Sequence, residues 1–366
     1  MKRSKRIEVL DQRPVNKDGF IDEWPEMGFV SMHSPYDPKP SVKIEDGIIT
    51  ELDGKKRDEF DFLDQFIADY AIRADRAEAS MAIPSLEIAR KIVAEKKRIV
   101  LLSGPSSAGK TTLSHRLSIQ LMAMGVRPHA IAADNYFVNR EDNPKDENGN
   151  YDFECLEAMD LDTLNRDMTR LIGGEQIELP VFNFRTGERE YHGDYLKIDD
   201  HDVIIMEGIH SLNPRMTYML DDSDKYRIYI SPLNQLYIDE PGGERVKVST
   251  MDSRLLRRMV RDYRTRGNGV EKSLSMWKSV RSGEEKYIFP YEGEADVMFN
   301  SGLLYEYTAV GSAAKPLLQS VDPDSEHYDE ACRLLRFVDM FRDIDTSYIP
   351  ANSILREFIG GGCFHI

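Results

Sequence analysis

The sequence predicts an α/β protein built on a parallel sheet, and three observations lead to this fold class. Five short apolar segments of strand type alternate with segments of helical periodicity from Arg98 onward. The first of these strands, Ile99–Ser103, is apolar enough to be buried on both faces. A glycine-bounded turn and an amphipathic helix follow it directly, which is the local order of a phosphate-binding unit.

Length, composition and charge exclude several classes of protein. The chain has 366 residues, which suggests roughly two domains at ~150 residues each. It is 41% hydrophobic and 31% charged, and its formal net charge of -16 argues against nucleic-acid binding. No apolar run approaches the ~18 residues that span a bilayer. The basic N-terminus lacks the apolar stretch of a signal peptide and the three cysteines are widely spaced, so a cytoplasmic location is predicted.

The remaining elements follow in order. Further strands are predicted at Ala130–Ala133, Asp202–Met206, Tyr226–Ile230 and Ala295–Phe299, and helices at Leu156–Leu171, Asp252–Arg266 and Val270–Arg281. The segment Glu178–Ile198 alternates apolar and polar residues around Thr186 and Gly187, which indicates a β-hairpin. Ahead of the first strand, the chain is turn-rich to about Pro40. It then has helical spacing from Glu59 to Ala94, with a break into two helices predicted at Pro84.

The turn after the first strand carries the strongest functional signal. Gly104–Thr111 matches G-x-x-x-x-G-K-[ST] in full. In this pattern backbone amides and a helix N-terminus surround phosphates, the lysine reaches the β- and γ-phosphates, and the hydroxyl binds Mg²⁺. The alternative, a glycine-rich turn with an exposed lysine, is disfavoured by the strand–loop–helix context. The residues predicted to bind the nucleotide phosphates are Gly104, Ser106, Ser107, Ala108, Gly109, Lys110, Thr111 and Thr112.

Two acidic residues follow strands that are predicted to end next to this loop. They are candidates for metal binding and for activation of an acceptor hydroxyl. Glu207 follows Val203–Met206, where a carboxylate would join Thr111 at a metal ion; the alternative is an ordinary strand-terminal acid. Asp134 follows the second strand, where ligands collect in open α/β sheets, and would activate an acceptor hydroxyl. A turn-starting aspartate explains Asp134 equally well on spacing alone.

Arginines are concentrated in one helix of an otherwise acidic chain. They are Arg254, Arg257, Arg258, Arg261, Arg264 and Arg266. The first four share one broad helical face, and guanidinium groups stabilise the charge of a transferring phosphoryl group. Together with the phosphate loop, this pattern predicts a hinged lid that closes over ATP. A solvated basic face paired with carboxylates is the alternative.

Several ordered motifs resemble the uridine kinase/phosphoribulokinase family. They are Gly104–Thr112, Asp134–Phe137, Tyr151–Glu154, Leu179–Phe184, Glu207–Ile209 and Arg254–Gly267. The resemblance runs from about Arg98 to the C-terminus, and the ending Asn352–Gly360 is similar to a bacterial nucleoside-kinase-like branch. It implies a P-loop NTPase core with a five-stranded parallel sheet flanked by helices, a substrate-side hairpin and a helical lid. It also implies ATP and Mg²⁺, and phosphoryl transfer to a small hydroxylated substrate.

The same resemblance implies roles for individual residues. Asp134 matches the general base, and Lys110, Arg261 and Arg266 match residues that act on the transferring phosphoryl group. The implied substrate contacts are Tyr136, Asp152, Phe153, Glu154, Phe182 and Arg258, of which Arg258 also contacts the nucleotide. Phe182 and Gly187 stand where uridine–cytidine kinases carry a base-reading tyrosine and histidine, and Asn268 and Met276 replace a lid arginine and a glutamine. Uridine is therefore an open question, and a phosphoribulokinase-like sugar-phosphate kinase is the alternative.

The N-terminal segment resembles another family. Arg3–Ile7, Arg13–Asn16, Glu51–Gly54 and Phe60–Asp69 are similar to the start of the large subunit of B12-dependent diol/glycerol dehydratases, without its catalytic barrel. Three parts are predicted: residues 1–93 (this segment), residues 94–345 (kinase domain) and residues 346–366 (a tail packed on it). The first part is either a passenger of gene fusion or assembly, or a docking segment for a dehydratase-type partner of a nucleotide-dependent regulatory protein. Homo-oligomerisation stays open.

Overall fold

A computed structural model describes residues 8–10, 42–45, 48–51, 78, 81–145, 149, 151–233, 237–239, 245–303, 305–341 and 343–364. Most of the turn-rich segment before Pro40 lies outside these residues, as do residues 59–77 and 79–80 of the predicted helical run. The strands are β1 (Glu8–Leu10), β2 (Val42–Glu45), β3 (Ile48–Glu51), β4 (Ile99–Ser103), β5 (Arg127–Ala132), β6 (Ile177–Asn183), β7 (Glu188–Leu196), β8 (Asp202–Glu207), β9 (Lys225–Ser231), β10 (Tyr237–Asp239), β11 (Arg245–Lys247) and β12 (Val297–Asn300).

The helices are α1 (residues 81–94), α2 (Lys110–Ala123), α3 (Leu161–Ile172), α4 (Thr250–Arg266), α5 (Val270–Tyr287), α6 (Glu306–Gln319), α7 (Tyr328–Asp339) and α8 (Arg356–Ile359). Two predicted helix bounds shift by five residues or more. The segment Leu156–Ala158 is a 3₁₀ turn, and α3 begins only after Asp160, whose carboxylate accepts the Thr163 N–H at 3.0 Å as an N-cap. Helix α5 continues beyond the predicted Arg281 to Tyr287.

The central sheet is parallel throughout, in the order β1-β12-β9-β4-β8-β5. Its five strands from β12 to β5 confirm the predicted five-stranded sheet. Strand β1, from the N-terminal segment, adds a sixth strand at the edge that the sequence did not predict. Strands β6 and β7 form the predicted antiparallel hairpin outside this sheet.

Helices cover both faces of the sheet. Alternate residues of β4 point to opposite sides: Val100 and Leu102 pack in one buried cluster with α2, α4 and α6, while Ile99 and Leu101 pack in another with α3. All four side chains are at most 1% exposed, as predicted for a strand buried on both faces. This arrangement brings the carboxyl ends of β4, β5 and β8 to one edge. No helix within the described ranges is long and apolar enough to cross a bilayer.

Helix α1 runs through Pro84, so the predicted break there is wrong. Residues 81–94 are helical without interruption, and Glu78 is helical as well. Met81, Ile88 and Ile92 are fully buried in the same cluster as α2. Although α1 lies almost entirely before the predicted boundary at residue 93, it therefore packs as part of the layer that covers the phosphate-binding unit.

Two isoleucines of α1 test this packing. Ile88→Ala removes a side chain that is 0% exposed, and we expect it to lower the free energy of unfolding by ~2–4 kcal/mol. Ile83→Ala, at a side chain that is 58% exposed, is the matched control and should change it by less than ~0.5 kcal/mol. Urea unfolding measures both. Equal effects of the two substitutions would contradict the packing of α1 on the core.

Candidate phosphate and acceptor site

Two positions of the loop between β4 and α2 have no room for a side chain. Gly109, the N-cap of α2, has φ +95°, in the left-handed region that favours glycine. A Cβ on Gly104 would lie 2.2 Å from the Ile230 carbonyl oxygen of β9, so the loop passes too close to the sheet for any larger residue. Both glycines of the motif are thus required by conformation and packing.

The amides at the start of α2 are available to a ligand. The N–H groups of Gly109, Lys110 and Thr111 have no hydrogen-bond partner among the described residues. Lys110 Nζ donates to the carbonyl oxygens of Gly104 and Pro105, at 2.9 and 3.3 Å, and so lies over the loop. Burial lowers the pKa of Lys110, while nearby carboxylates, Glu207 first among them, oppose this shift. These donors suit the phosphates of a nucleotide.

Thr111 and Glu207 are in direct contact. Strands β4 and β8 are neighbours, with Leu102 opposite Glu207, and Thr111 Oγ1 donates to the two Glu207 carboxylate oxygens at 3.1 and 3.2 Å. Burial raises the pKa of Glu207 to about 7, against the influence of Lys110. A hydroxyl and a carboxylate at this spacing are oxygen donors of the kind that Mg²⁺ prefers.

Asp134 lies on the neighbouring strand end. It belongs to the 3₁₀ turn Ala133–Tyr136, directly after β5, which pairs with β8. Burial raises the pKa of the Asp134 carboxyl, and the positive charges of Lys110 and Arg266 act against this shift. The same charge interactions place Lys110, Asp134 and Glu207 within electrostatic reach of one another at the carboxyl edge of the sheet.

Two arginines of α4 differ from the predicted lid. Arg254 is 2% exposed and Arg257 is 0% exposed. Arg254 forms an ion pair with Glu284 of α5, through Nη2 at 2.9 Å, and Arg257 forms one with Glu306 of α6 at 2.6 and 2.7 Å. Both also donate to loop carbonyls, from Arg254 Nη1 to Ser106 at 3.4 Å and from Arg257 Nη1 to Ser107 at 3.3 Å. They therefore support the loop from behind rather than face a phosphate.

Three of the other predicted arginines gather around a buried acid, whereas Arg264 donates to the Glu357 and Phe358 carbonyl oxygens at 3.0 and 3.2 Å. Asp262, 1% exposed, contacts Arg261 at 2.7 Å, Arg258 at 3.4 Å and Arg266 at 3.5 Å. Arg258 Nη1 also donates to Ser106 Oγ of the loop at 2.9 Å. Burial, followed by the charge of Arg261, lowers the pKa of Arg266. Three guanidinium groups around one carboxylate leave this end of the site positively charged.

The predicted substrate residues are divided between a cavity, its surroundings and the core. Phe153 and Phe182 line a cavity of ≈ 440 Å³ together with residues Phe137, Arg140, Asn143 and Phe184. Asp152 accepts a hydrogen bond from the Tyr287 hydroxyl at 2.6 Å. Burial raises the pKa of Glu154, with Arg258 opposing. Tyr136 is not brought to the cavity: its side chain is 0% exposed and packs in the core with α3, because it points back from its turn.

Comparisons with known proteins assign part of the chain to a family. Residues 99–239 match the family described as "Phosphoribulokinase / Uridine kinase family". A uridine kinase of Chlamydia pneumoniae is 30% identical over 202 residues, which cover 55% of this chain and 80% of that protein. The chain belongs to the phosphoribulokinase/uridine kinase family. A solved structure described as a possible uridine kinase from Bacillus stearothermophilus is 20% identical and matches 59% of this chain and 98% of its own, with a TM-score of 0.37.

A second match falls at the other end of the chain. Residues 2–143 match a model described as "Dehydratase large subunit". The glycerol dehydratase large subunit of Citrobacter freundii is 63% identical over 93 residues, which cover 25% of this chain and only 17% of that protein. The chain therefore spans about a sixth of that relative's length. The fusion of a dehydratase-like segment to a kinase-family domain is confirmed.

Sequence reasoning missed the acids that hold the loop. Glu357 of α8, 6% exposed, accepts from the Thr112 N–H at 3.2 Å and from its hydroxyl at 2.9 Å. Glu284 accepts from the Ser106 N–H at 3.0 Å. Both acids are far from the loop in sequence, and no spacing rule connects them with it. The one available signal for Glu357 was its place in the C-terminal motif that resembles the nucleoside-kinase-like branch.

The raised pKa of Glu207 predicts a pH dependence of stability. In the unfolded chain this carboxyl ionises near 4.5, whereas in the ligand-free fold it has a pKa of about 7. Its burial penalty is therefore absent below pH 4.5, grows between pH 4.5 and 7, and is complete above pH 7. We expect the free energy of unfolding of Glu207→Gln, relative to that of the natural protein, to increase by ~1–3 kcal/mol as the pH rises from about 5 to 8. Urea unfolding without nucleotide or metal measures this difference. A difference independent of pH would contradict the assignment.

Substitution of Glu357 tests the support of α2. Glu357→Ala leaves the Thr112 N–H and hydroxyl without their acceptor, so we expect a loss of ~1–3 kcal/mol in unfolding free energy. Glu357→Gln keeps an acceptor oxygen and should lose less. Glu326→Ala, at a side chain that is 86% exposed, is the control and should change little. If the control and Glu357→Ala are equally stable, the hydrogen bonds do not support the loop.

Proposed function

We propose that the protein is an ATP-dependent kinase that transfers the γ-phosphoryl group to a hydroxyl of a small polyhydroxylated acceptor of about nucleoside size. The observation that carries this proposal is the convergence of Lys110, Thr111, Glu207 and Asp134 at one edge of the sheet. The first three suit a metal-bound nucleotide, and the fourth is a half-buried carboxyl whose pKa is raised by desolvation. Membership of a family named for two kinases agrees with it.

In the proposed reaction each residue has one task. The amides of Gly109, Lys110 and Thr111 and the Lys110 ammonium bind the phosphates, and Thr111 and Glu207 would hold Mg²⁺, which when bound neutralises phosphate charge. Asp134 accepts the proton of the acceptor hydroxyl. The hydroxyl oxygen then bonds to the γ-phosphorus while the bond from that phosphorus to the β–γ bridging oxygen breaks, so that ADP leaves. Arg258, Arg261 and Arg266 offset the negative charge of the transferring group.

The raised pKa of Asp134 fits its proposed task. Burial disfavours the charged carboxylate and so makes it a stronger acceptor for a proton than an exposed aspartate. The positive charges of Lys110 and Arg266 oppose this rise of the pKa. Glu154, whose pKa burial also raises, supplies a second acidic group for the acceptor's hydroxyls.

A sugar phosphate is the alternative acceptor within the same reaction class. The arginines around Asp262 supply positive charge near Asp134, and the Arg266 side chain is 55% exposed. The exposed Arg266 guanidinium could form an ion pair with the phosphate of an acceptor that is already phosphorylated. ATP consumption measured across nucleosides and sugar phosphates separates the two classes, and no response to any of them would remove the kinase proposal.

The dehydratase-like segment supports a second candidate function from another class. A nucleotide-dependent docking protein would use this segment to bind dehydratase-type subunits and the kinase-family domain as a switch. The support is the 63% identity over 93 residues. A pull-down with dehydratase medium and small subunits tests it: capture supports docking, and no capture favours a passenger segment.

Replacing Asp134 tests the proposed chemistry. Asp134→Asn keeps the size of the side chain but cannot accept the proton, so we expect kcat to fall by ~10²–10⁴-fold with ATP affinity changed by less than about threefold. Asp200→Asn, at a side chain that is 97% exposed, is the control and should keep full turnover. Phosphorylated acceptor is measured by chromatography and ATP binding by calorimetry. Unchanged turnover of Asp134→Asn would contradict the role of this residue.

A further inference from the structure

The cavity beside the proposed transfer site has a largely aromatic wall. Its four phenylalanines are Phe137, Phe153, Phe182 and Phe184. Phe182 contacts Phe137 and Phe184 edge to face, with ring centroids 5.6 and 5.1 Å apart. An apolar cavity of about 150 Å³ accommodates benzene. The ≈ 440 Å³ of this cavity therefore has room for a ring and the hydroxylated part attached to it.

The polar side chains around this cavity are engaged with the protein itself. Asn143 Nδ2 donates to the Asn139 carbonyl at 3.1 Å, and Arg140 Nη2 donates to the Phe184 carbonyl at 3.0 Å. The amide oxygens of Asn135 and Asn139 accept N–H groups of the hairpin backbone at 3.2 and 3.1 Å. These side chains fix the hairpin and the turn before it. One polar group of each of these four side chains is thereby committed to the protein, which reduces what the lining offers to the edge of a polar ring.

The phenylalanine wall of the cavity favours a hydrocarbon ring over a ring with a polar edge. A ring whose edge carries donors and acceptors would lose its hydrogen bonds to water on entry, and each group left unpaired weakens binding. A hydrocarbon ring has no such loss and covers Phe153 and Phe184, which are 48% and 63% exposed. The Arg140 guanidinium at the rim can stack on such a ring without a hydrogen bond to it.

The cavity adjoins the residues of the proposed transfer. Asn135, which accepts the Phe182 N–H, follows Asp134 directly in the chain. Phe153 precedes Glu154, whose pKa responds to the charges of Asp134 and Arg258. Both carboxyl groups thus belong to residues next in the chain to ones that line the cavity or bond its wall.

We propose that the acceptor is a hydroxylated molecule whose other end is an aromatic or branched hydrocarbon group, bound in this cavity without hydrogen bonds to that group. The inference rests on the proposed function, which supplies the role of the hydroxyl end. A pyrimidine nucleoside, with its polar ring edge, is then a poor acceptor.

Calorimetric titration of the full-length protein tests this inference with phenyl β-D-riboside and uridine, which share the sugar. We expect the phenyl riboside to bind at least about tenfold more tightly. Phe182→Ala and Phe184→Ala should each weaken its binding about fivefold or more, whereas Phe182→Leu should weaken it less. Tyr195→Ala, an exposed aromatic on the same hairpin, is the control and should have no effect. Phe184 is 63% exposed, so its removal leaves folding intact even if Phe182→Ala does not.

Equal or tighter binding of uridine would overturn the inference, as would binding of neither compound or phenyl riboside binding that both alanine variants leave unchanged. The proposed function is judged separately by phosphoryl transfer. Uridine phosphorylation without preference for the phenyl riboside would remove the inference and keep the kinase. Tight binding of the phenyl riboside without phosphoryl transfer to any tested acceptor would support the proposed ligand of the cavity and contradict the proposed kinase activity.

Discussion

The rigid support of the phosphate loop is the constraint on which the rest of the site depends. A loop that presents its amides to a ligand must turn its carbonyls inward, where they need donors. Arg254 and Arg257 supply those donors from behind, and Glu284 and Glu306 balance their charges. Removing any one partner would leave a charge buried without compensation, which is far more costly than the pair is stabilising.

This support explains why distant parts of the chain pack together. The loop contacts α4 and α5 through Ser106, and the first turn of α2 contacts α8 through Thr112. Ile354 lies against Gly109, so close that a Cβ there would be 2.5 Å from its Cδ1. The C-terminal residues thus belong to the environment of the nucleotide-binding loop. A change in α5 or α8 would reach the loop directly, without any movement of the sheet.

The parts predictable from sequence were those with a local signal. Apolar runs located β4, β8 and β9, and one contiguous motif located the loop, because their determinants lie within a few adjacent residues. The Thr111–Glu207 contact was predictable since the carboxyl ends of neighbouring parallel strands meet. The roles of Arg254 and Arg257 were not, because a charge pattern gives the face of a helix but not what packs against it. The burial of Tyr136 was not predictable for the same reason. Its motif gives its position in the chain, but not that its side chain packs against α3.

The ionisable groups of the site share one electrostatic condition. Burial raises the pKa of the Asp134, Glu154 and Glu207 carboxyls and lowers that of Lys110, Arg258 and Arg266, so desolvation disfavours the charged form of each of these six groups. Their mutual attraction opposes this effect but does not cancel it. Such clusters of opposed shifts are typical of sites that bind or transfer charge, whereas a structural ion pair such as Arg257–Glu306 is fully satisfied within the fold. The overall charge of -16 is therefore a poor guide to this edge of the sheet, where cations and acids are held in close balance.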